Sequence, residues 1–167
     1  MTDTTLTPAR LWKGMTSEQR LKAARAFWAT EEDEAADAQF QAVFHIAQQK
    51  KFRAKSVFAL DDERRAKHLA SLHSVPEIVA ARALITYHLA EQRPMMGAFL
   101  DLLGIPHENG LINDENVSKP DAAKVKEAAR ALAEKFGADD TSLYFATLVS
   151  QDPETWEALV DVVEPTA

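Results

Sequence analysis

The stretch Arg93-Pro-Met-Met-Gly-Ala-Phe-Leu-Asp-Leu-Leu-Gly104 is followed by Ile-Pro-His-Glu-Asn-Gly110 and then by Leu-Ile-Asn-Asp-Glu-Asn-Val-Ser-Lys119. It holds three of the chain's five glycines and two of its seven prolines. The sequence on either side has the pattern of amphipathic helix. Long connections without secondary structure of their own tend to be functional or disordered. We therefore predict helices up to about residue 103, a long loop over about residues 105–119, and further helices from about residue 120.

Helix-start signals precede most of the apolar stripes. Thr16-Ser-Glu-Gln19 and Ser74-Val-Pro-Glu77 both fit a capping box, and Asp152-Pro153 places a cap before a first-turn proline. Apolar residues that recur every three or four positions predict the inward face of each helix. For the helix predicted over about residues 32–50, the inward stripe is Ala36, Phe40, Val43, Phe44 and Ala47. For the helix predicted from Ser74 to about Gln92, it is Ile78, Ala81, Ile85 and Leu89.

No segment alternates with a period of two for long enough to predict a strand. Asn109-Gly110 is a hairpin-turn signal, but its flanks do not alternate cleanly, so we predict a turn there. The sequence therefore predicts an all-α fold, in which residues 1–167 form a single-domain irregular bundle of six to eight helices. Flexible tails are predicted at residues 1–7 and 164–167. The helix predicted to end near residue 163 should dock on the body through its apolar stripe of Trp156, Leu159, Val160 and Val163.

The composition excludes several classes of protein. There is no cysteine, so disulfides and thiol chemistry are excluded, and a reducing, cytoplasmic location is favoured. No apolar run reaches the roughly 18–20 residues of a membrane span, so no membrane association is predicted. Residues 1–100 carry a net charge of +2 and residues 101–167 a net charge of −9. Such an acidic C-terminal third disfavours phosphate backbones and anionic membranes as partners.

The histidines offer no recognisable metal or catalytic pattern. None of the five has an acidic residue three positions before it, so the Glu-x-x-His pairs of helical di-iron sites are missing. His88 and Glu91 share a helix edge, which predicts a surface contact. Asn113-Asp-Glu-Asn116 lacks the spacing of an EF-hand loop, and no phosphate loop or nucleophile elbow occurs. We therefore predict no catalytic residues, no metal and no cofactor.

The polar loop is one candidate site. His107, Glu108 and Asn109, near Arg93, combine a group that titrates near neutrality, a carboxylate and an amide. A solvated turn favours the same residue types for its own reasons. If the loop is functional, these three side chains should matter little for folding. Leu111 and Ile112, its adjacent apolar pair, should pin the loop to the body.

A basic segment is the second candidate, because positive charges cluster over residues 50–67 with Phe52 and Phe58 among them. The candidate anion contacts are Lys50, Lys51, Arg53, Lys55, Arg64 and Arg65. Interleaved aromatic and basic residues are typical of nucleic-acid binders. The sequence pI of about 5.2, however, is far below the basic pI expected of such a domain.

These patterns leave three function classes open. The first is a cytosolic protein-interaction module that binds another protein or a second copy of itself, favoured because no catalytic motif is evident. The second is an enzyme or small-ligand binder that uses residues 107–109, with Met95, Met96 and Phe99 as an apolar wall. The third is a nucleic-acid binder that uses the basic segment. An exposed apolar patch would favour the first class, and a pocket lined by the loop would favour the second.

Overall fold

The computed structural model describes residues 6–31, 33–112 and 119–163, apart from the side chain of residue 34. Within these residues the chain is all-α, as predicted, with ten helices where six to eight were expected. They are α1 (Pro8–Gly14), α2 (Ser17–Ala29), α3 (Asp33–Lys50), α4 (Ala54–Phe58), α5 (Asp62–Ala70), α6 (Glu77–Glu91), α7 (Arg93–Leu103), α8 (Ala122–Phe136), α9 (Ala138–Gln151) and α10 (Glu157–Val163). Residues 1–5 and 164–167 of the predicted tails lie outside the described residues, as does Asn113-Asp-Glu-Asn116.

Helix α1 is one that the sequence reasoning missed, although its start signal is present. The Thr7 hydroxyl accepts a hydrogen bond from the Arg10 backbone N–H at 3.3 Å, and Pro8 occupies the first helical position. This cap-and-proline pair is the same signal that Asp152-Pro153 provides. The helix buries Trp12 completely, and the Trp12 indole Nε1 donates to the Leu72 carbonyl oxygen at 2.8 Å.

The described helices form two compact units, Thr7–Glu91 and the chain from Gln92 onward. In the first unit, α2 packs against α5 and α6, α1 and α3 pack against α6, and α4 packs against α3. The capping box predicted at Thr16 and Gln19 is present at the start of α2. The prediction that residues 1–167 form one domain stays a prediction.

In two helices of the first unit the buried face differs from the predicted stripe, in part in α3 and throughout in α6. In α3 the buried face is mostly alanine. Val43 and Ala47 of the predicted stripe belong to it, together with Ala35, Ala38, Ala42 and Ile46. Phe40 and Phe44, placed in the predicted inward stripe, are about half exposed. In α6 the buried face includes Val79, Ala80, Ala83, Leu84 and Tyr87, while Ile78 is exposed. Small residues let helices approach closely, so the alanine-rich face makes the tighter packing surface.

In the second unit, α8 packs against α7, α9 and α10, and α10 also packs against α9. Phe99 lies at the centre of its aromatic core, with ring centroids 5.7 Å from Tyr144, 5.1 Å from Phe145 and 5.8 Å from Trp156. Trp156 and Leu159 are buried and Val160 and Val163 are partly buried, so the predicted docking of the last helix is confirmed. Burial raises the pKa of the Tyr144 phenol well above its ordinary value. Among the described residues, no helix combines the length and apolar character that crossing a membrane requires.

Candidate functional site

The polar loop folds back onto α7 through His107. The His107 Nδ1 accepts a hydrogen bond from the Gly110 backbone N–H at 3.0 Å, so in the neutral ring the proton sits on Nε2. That Nε2 lies 2.7 Å from the Asp101 Oδ1 and donates to it. Both ring nitrogens are therefore engaged within the chain. A general base needs a free nitrogen lone pair, which His107 does not offer in this arrangement.

Gly110 closes the loop and sits directly against α7. Asn109 and Gly110 have φ values of 52° and 90°, the pattern of a type I′ turn. The flanking Glu108 and Leu111 exchange two backbone hydrogen bonds, of 2.8 and 3.0 Å, and form an isolated antiparallel bridge. A Cβ on Gly110 would lie 2.9 Å from the Met96 Cβ. Only glycine meets both the positive φ and this close approach.

The structure brings the predicted loop-site residues together at one turn beside α7. Arg93 donates from Nη1 to the Asn109 backbone carbonyl at 3.1 Å, and His107 binds the Gly110 N–H in the same turn. Glu108 and the Asn109 side chain are exposed. These contacts hold the turn against α7, which is a structural role for the loop.

The apolar pair at the end of the loop does not pin it as predicted. Leu111 is 41% exposed and Ile112 is 37% exposed. Ile105 and Gly110 are the buried positions of this segment. The loop is therefore fixed by Ile105, by the close approach of Gly110 and by the His107 contacts.

Among the described residues of the second unit, two shallow grooves are lined by residues outside 105–112. One, of about 330 Å³, lies between α8, α9 and α10 and includes the Lys126–Asp161 ion pair, whose Nζ–Oδ2 distance is 3.6 Å. The other, of about 390 Å³, lies between α7 and α8. Across the described residues, no group of three or more histidines and acids is placed to hold a metal ion.

The six cations of the basic segment fall into two groups. Arg65 donates to the Asp62 carboxylate at 2.9 Å and lies 5.1 Å from the Trp28 ring centroid, and the Arg64 Nε is 4.0 Å from the Asp61 carboxylate. The other four, which flank the start of α4, make no ion pair within the described chain. They are Lys50, Lys51, Arg53 and Lys55.

The histidines of the first unit have structural contacts. His88 is buried and its Nδ1 lies 2.8 Å from the Leu84 carbonyl oxygen, so the predicted surface contact is wrong. The His45 Nε2 lies 2.8 Å from the Ser74 carbonyl oxygen. The His68 ring packs edge-on to Phe52, with centroids 5.3 Å apart. Partial burial, together with the nearby Lys50 cation, lowers the pKa of His68 below its ordinary 6.5.

Three phenylalanines form an exposed patch that the sequence reasoning did not single out. Phe40 and Phe44 on α3 and Phe58 on α4 are 55%, 48% and 44% exposed. Their ring centroids are 5.0 Å apart for Phe40–Phe44, 5.4 Å for Phe40–Phe58 and 6.2 Å for Phe44–Phe58. We call these three residues the phenylalanine patch. The second apolar face of α3 could have indicated this patch. Because the alanine side of α3 packs on its neighbours, the phenylalanines on the opposite side are left at the surface.

Comparison of the chain with protein-family models, with curated proteins and with solved structures found no match.

Proposed function

We propose that this chain is a protein-interaction module that docks a protein partner on the phenylalanine patch. The observation that carries the proposal is the ring-to-ring packing of Phe40, Phe44 and Phe58 at about half exposure. A single exposed apolar side chain is ordinary, whereas a contiguous apolar patch marks an interaction surface. Aromatic residues are also enriched among the side chains that dominate binding energy at interfaces.

The shape of the patch supports this function. Phe40 and Phe44 are four residues apart and so lie one turn apart on the same face of α3. Phe58 adds a third ring from a separate helix. Val57, next to Phe58, is completely buried and anchors α4 beneath it. The rings are therefore presented on fixed backbone, which reduces the entropy lost when a partner binds.

A second candidate is nucleic-acid binding, favoured by the four cations that make no ion pair within the described chain. Bases stack on aromatic rings, and lysines and arginines bind phosphates. The exposed Asp33 and Asp37 on the patch-bearing helix oppose this function, because they would face the same phosphates. A salt-dependent gel shift with single-stranded oligonucleotides tests this candidate.

The experiment for the main proposal compares full-length baits in lysates of the cells that express the chain, after nuclease treatment. The test variant is Phe40→Ser with Phe44→Ser. The matched control is Leu102→Ser, because Leu102 is 48% exposed, like Phe44, but lies outside the patch. Quantitative mass spectrometry should find proteins captured by the wild type and the control and lost from the double variant. Equal capture by the folded double variant would contradict the proposal.

A further inference from the structure

We propose that the partner of the phenylalanine patch is a second copy of this chain, docked antiparallel across α3. This inference rests on the proposed function, since it names the occupant of the same surface. The inference is based on the order of the charged residues on either side of the patch.

The acidic side of the patch lies toward the start of α3. Asp33, Asp37, Phe40 and Phe44 follow one another at spacings of four, three and four residues, so they share one face of the helix. Both aspartates are exposed, and neither forms an ion pair in the described part of the chain. The patch therefore has negative charge at its N-terminal end, one to two helical turns from Phe40.

The basic side lies toward the end of α3. Lys51 follows the last residue of α3, and Lys55 lies on α4 three residues before Phe58, hence on the same side of that helix. The chain runs from the end of α3 through Lys55 to Phe58, whose ring packs on those of Phe40 and Phe44. Lys55 is therefore displaced from the patch toward the C-terminal end of α3. Neither lysine forms an ion pair within the described residues.

This order of charges is complementary to that of a second copy only when the two α3 helices run antiparallel. Helix α3 has 18 residues, a length of about 27 Å, and the midpoint between Phe40 and Phe44 falls at its centre. A two-fold axis through the patch would stack phenylalanines on phenylalanines and set the aspartates of each copy against the lysines of the other. A parallel pairing would set like charges together. An isologous two-fold contact requires such self-complementarity.

The same order disfavours other occupants. A uniformly acidic peptide or a nucleic acid would match Lys51 and Lys55 but would be repelled by Asp33 and Asp37. A uniformly basic partner would match Asp33 and Asp37 but would be repelled by Lys51 and Lys55. A second copy satisfies both ends of the patch at once.

Sedimentation velocity of the full-length protein, over about 1–500 μM, tests the inference with two charge-reversed variants. One variant carries Asp33→Lys with Asp37→Lys, and the other carries Lys51→Glu with Lys55→Glu. The wild type should dimerise reversibly, and each variant alone should dimerise about tenfold or more weakly, because like charges then meet at both ends. An equimolar mixture of the two variants should regain association, because opposite charges face each other again. Circular dichroism checks that each variant is folded.

Three outcomes would overturn the inference: a wild type that stays monomeric, dimers insensitive to charge reversal, or a mixture no tighter than its components. If the wild type is monomeric but still captures a protein through Phe40 and Phe44, the second-copy inference fails and the proposed function stands. If it is monomeric and captures nothing through the patch, both fail. Co-sedimentation of an oligonucleotide with the wild type, lost in the Lys51→Glu, Lys55→Glu variant, would overturn both in favour of nucleic acid.

Discussion

The ring centroid of Phe58 lies 5.4 Å from that of Phe40, although the two residues belong to different helices and each ring is about half exposed. Helix α4 has only five residues, and its one fully buried side chain is Val57. Phe58, next to Val57 in sequence, adds the third ring of the phenylalanine patch. The folded chain gains little from this ring compared with a buried one, because much of its apolar area stays in water.

The first prediction follows from this exposure. Phe40→Ser with Phe44→Ser should change the free energy of unfolding by less than about 1 kcal/mol per site, because both rings are already largely hydrated. Phe27→Ala, the comparison, should cost about 3–5 kcal/mol, because Phe27 is fully buried. Urea denaturation at about 1 μM protein measures both and limits any contribution from self-association. A loss at Phe40 and Phe44 as large as that at Phe27 would mean that the patch is part of the core.

The second prediction concerns Gly110. Gly110→Ala should destabilise the protein by about 2–4 kcal/mol, because its Cβ would crowd Met96 and its φ of 90° strains an L-residue. Asn109→Gly is the matched control, since φ at Asn109 is also positive and the side chain is exposed. It should change stability by less than about 0.5 kcal/mol. Equal effects of the two changes in a denaturation series would show that the turn is not fixed against α7.

The third prediction is a pH dependence at His68. Its folded-state pKa is lowered, first by burial and then by Lys50, so the unfolded chain binds the proton more readily. The stability linked to this neutral imidazole is complete above pH 6.5 and is lost as the pH falls through the lowered pKa. Denaturation midpoints of the wild type and of His68→Gln, at about pH 7.5 and about pH 5.5, measure the effect. The wild type should lose more stability on acidification than the variant, and identical losses would count against the shift.

The fourth prediction concerns Arg20, which is buried without a carboxylate partner in the described part of the chain. Its guanidinium contacts the Lys13 carbonyl oxygen at 3.4 Å and the His73 Nδ1 at 3.3 Å, and its Nε makes no hydrogen bond. A buried cation so weakly compensated stabilises the fold poorly. Arg20→Met should therefore leave stability unchanged or raise it by up to about 2 kcal/mol, measured by thermal unfolding. A loss of more than about 1 kcal/mol would mean that the guanidinium contacts are stronger than their geometry indicates.

Local signals in the sequence predicted the elements well because their causes are local. The capping box at Thr16 and Gln19 and the left-handed Gly104 at the end of α7 depend only on neighbouring residues. Which face of a helix is buried depends on what packs against it. In α8, Val125 and Leu132 lie on one apolar face, and both are buried. In α3 two faces are apolar. Val43 and Ala47 of the predicted stripe are buried, whereas Phe40 and Phe44 lie on the exposed face.

The candidate site was less predictable for the same reason. His107, Asn109 and Arg93 were chosen by residue type, and the structure shows them in contacts that hold a turn. The His107 tautomer is fixed by a hydrogen bond from the Gly110 backbone. A backbone contact of this kind cannot be predicted from residue types. The phenylalanine patch depends on two helices meeting, so spacing along either helix alone does not define it.

The most direct test of the central claim is photo-crosslinking in the cells that express the chain. A photoreactive benzoylphenylalanine replaces Phe44 in one full-length protein and, in another, Leu102, which is equally exposed and lies outside the patch. We expect covalent protein adducts at position 44 and few or none at position 102, with a species of twice the chain's mass if the partner is a second copy. No adduct at position 44, or equal adducts at the two positions, would contradict the claim that the phenylalanine patch is a protein-binding surface.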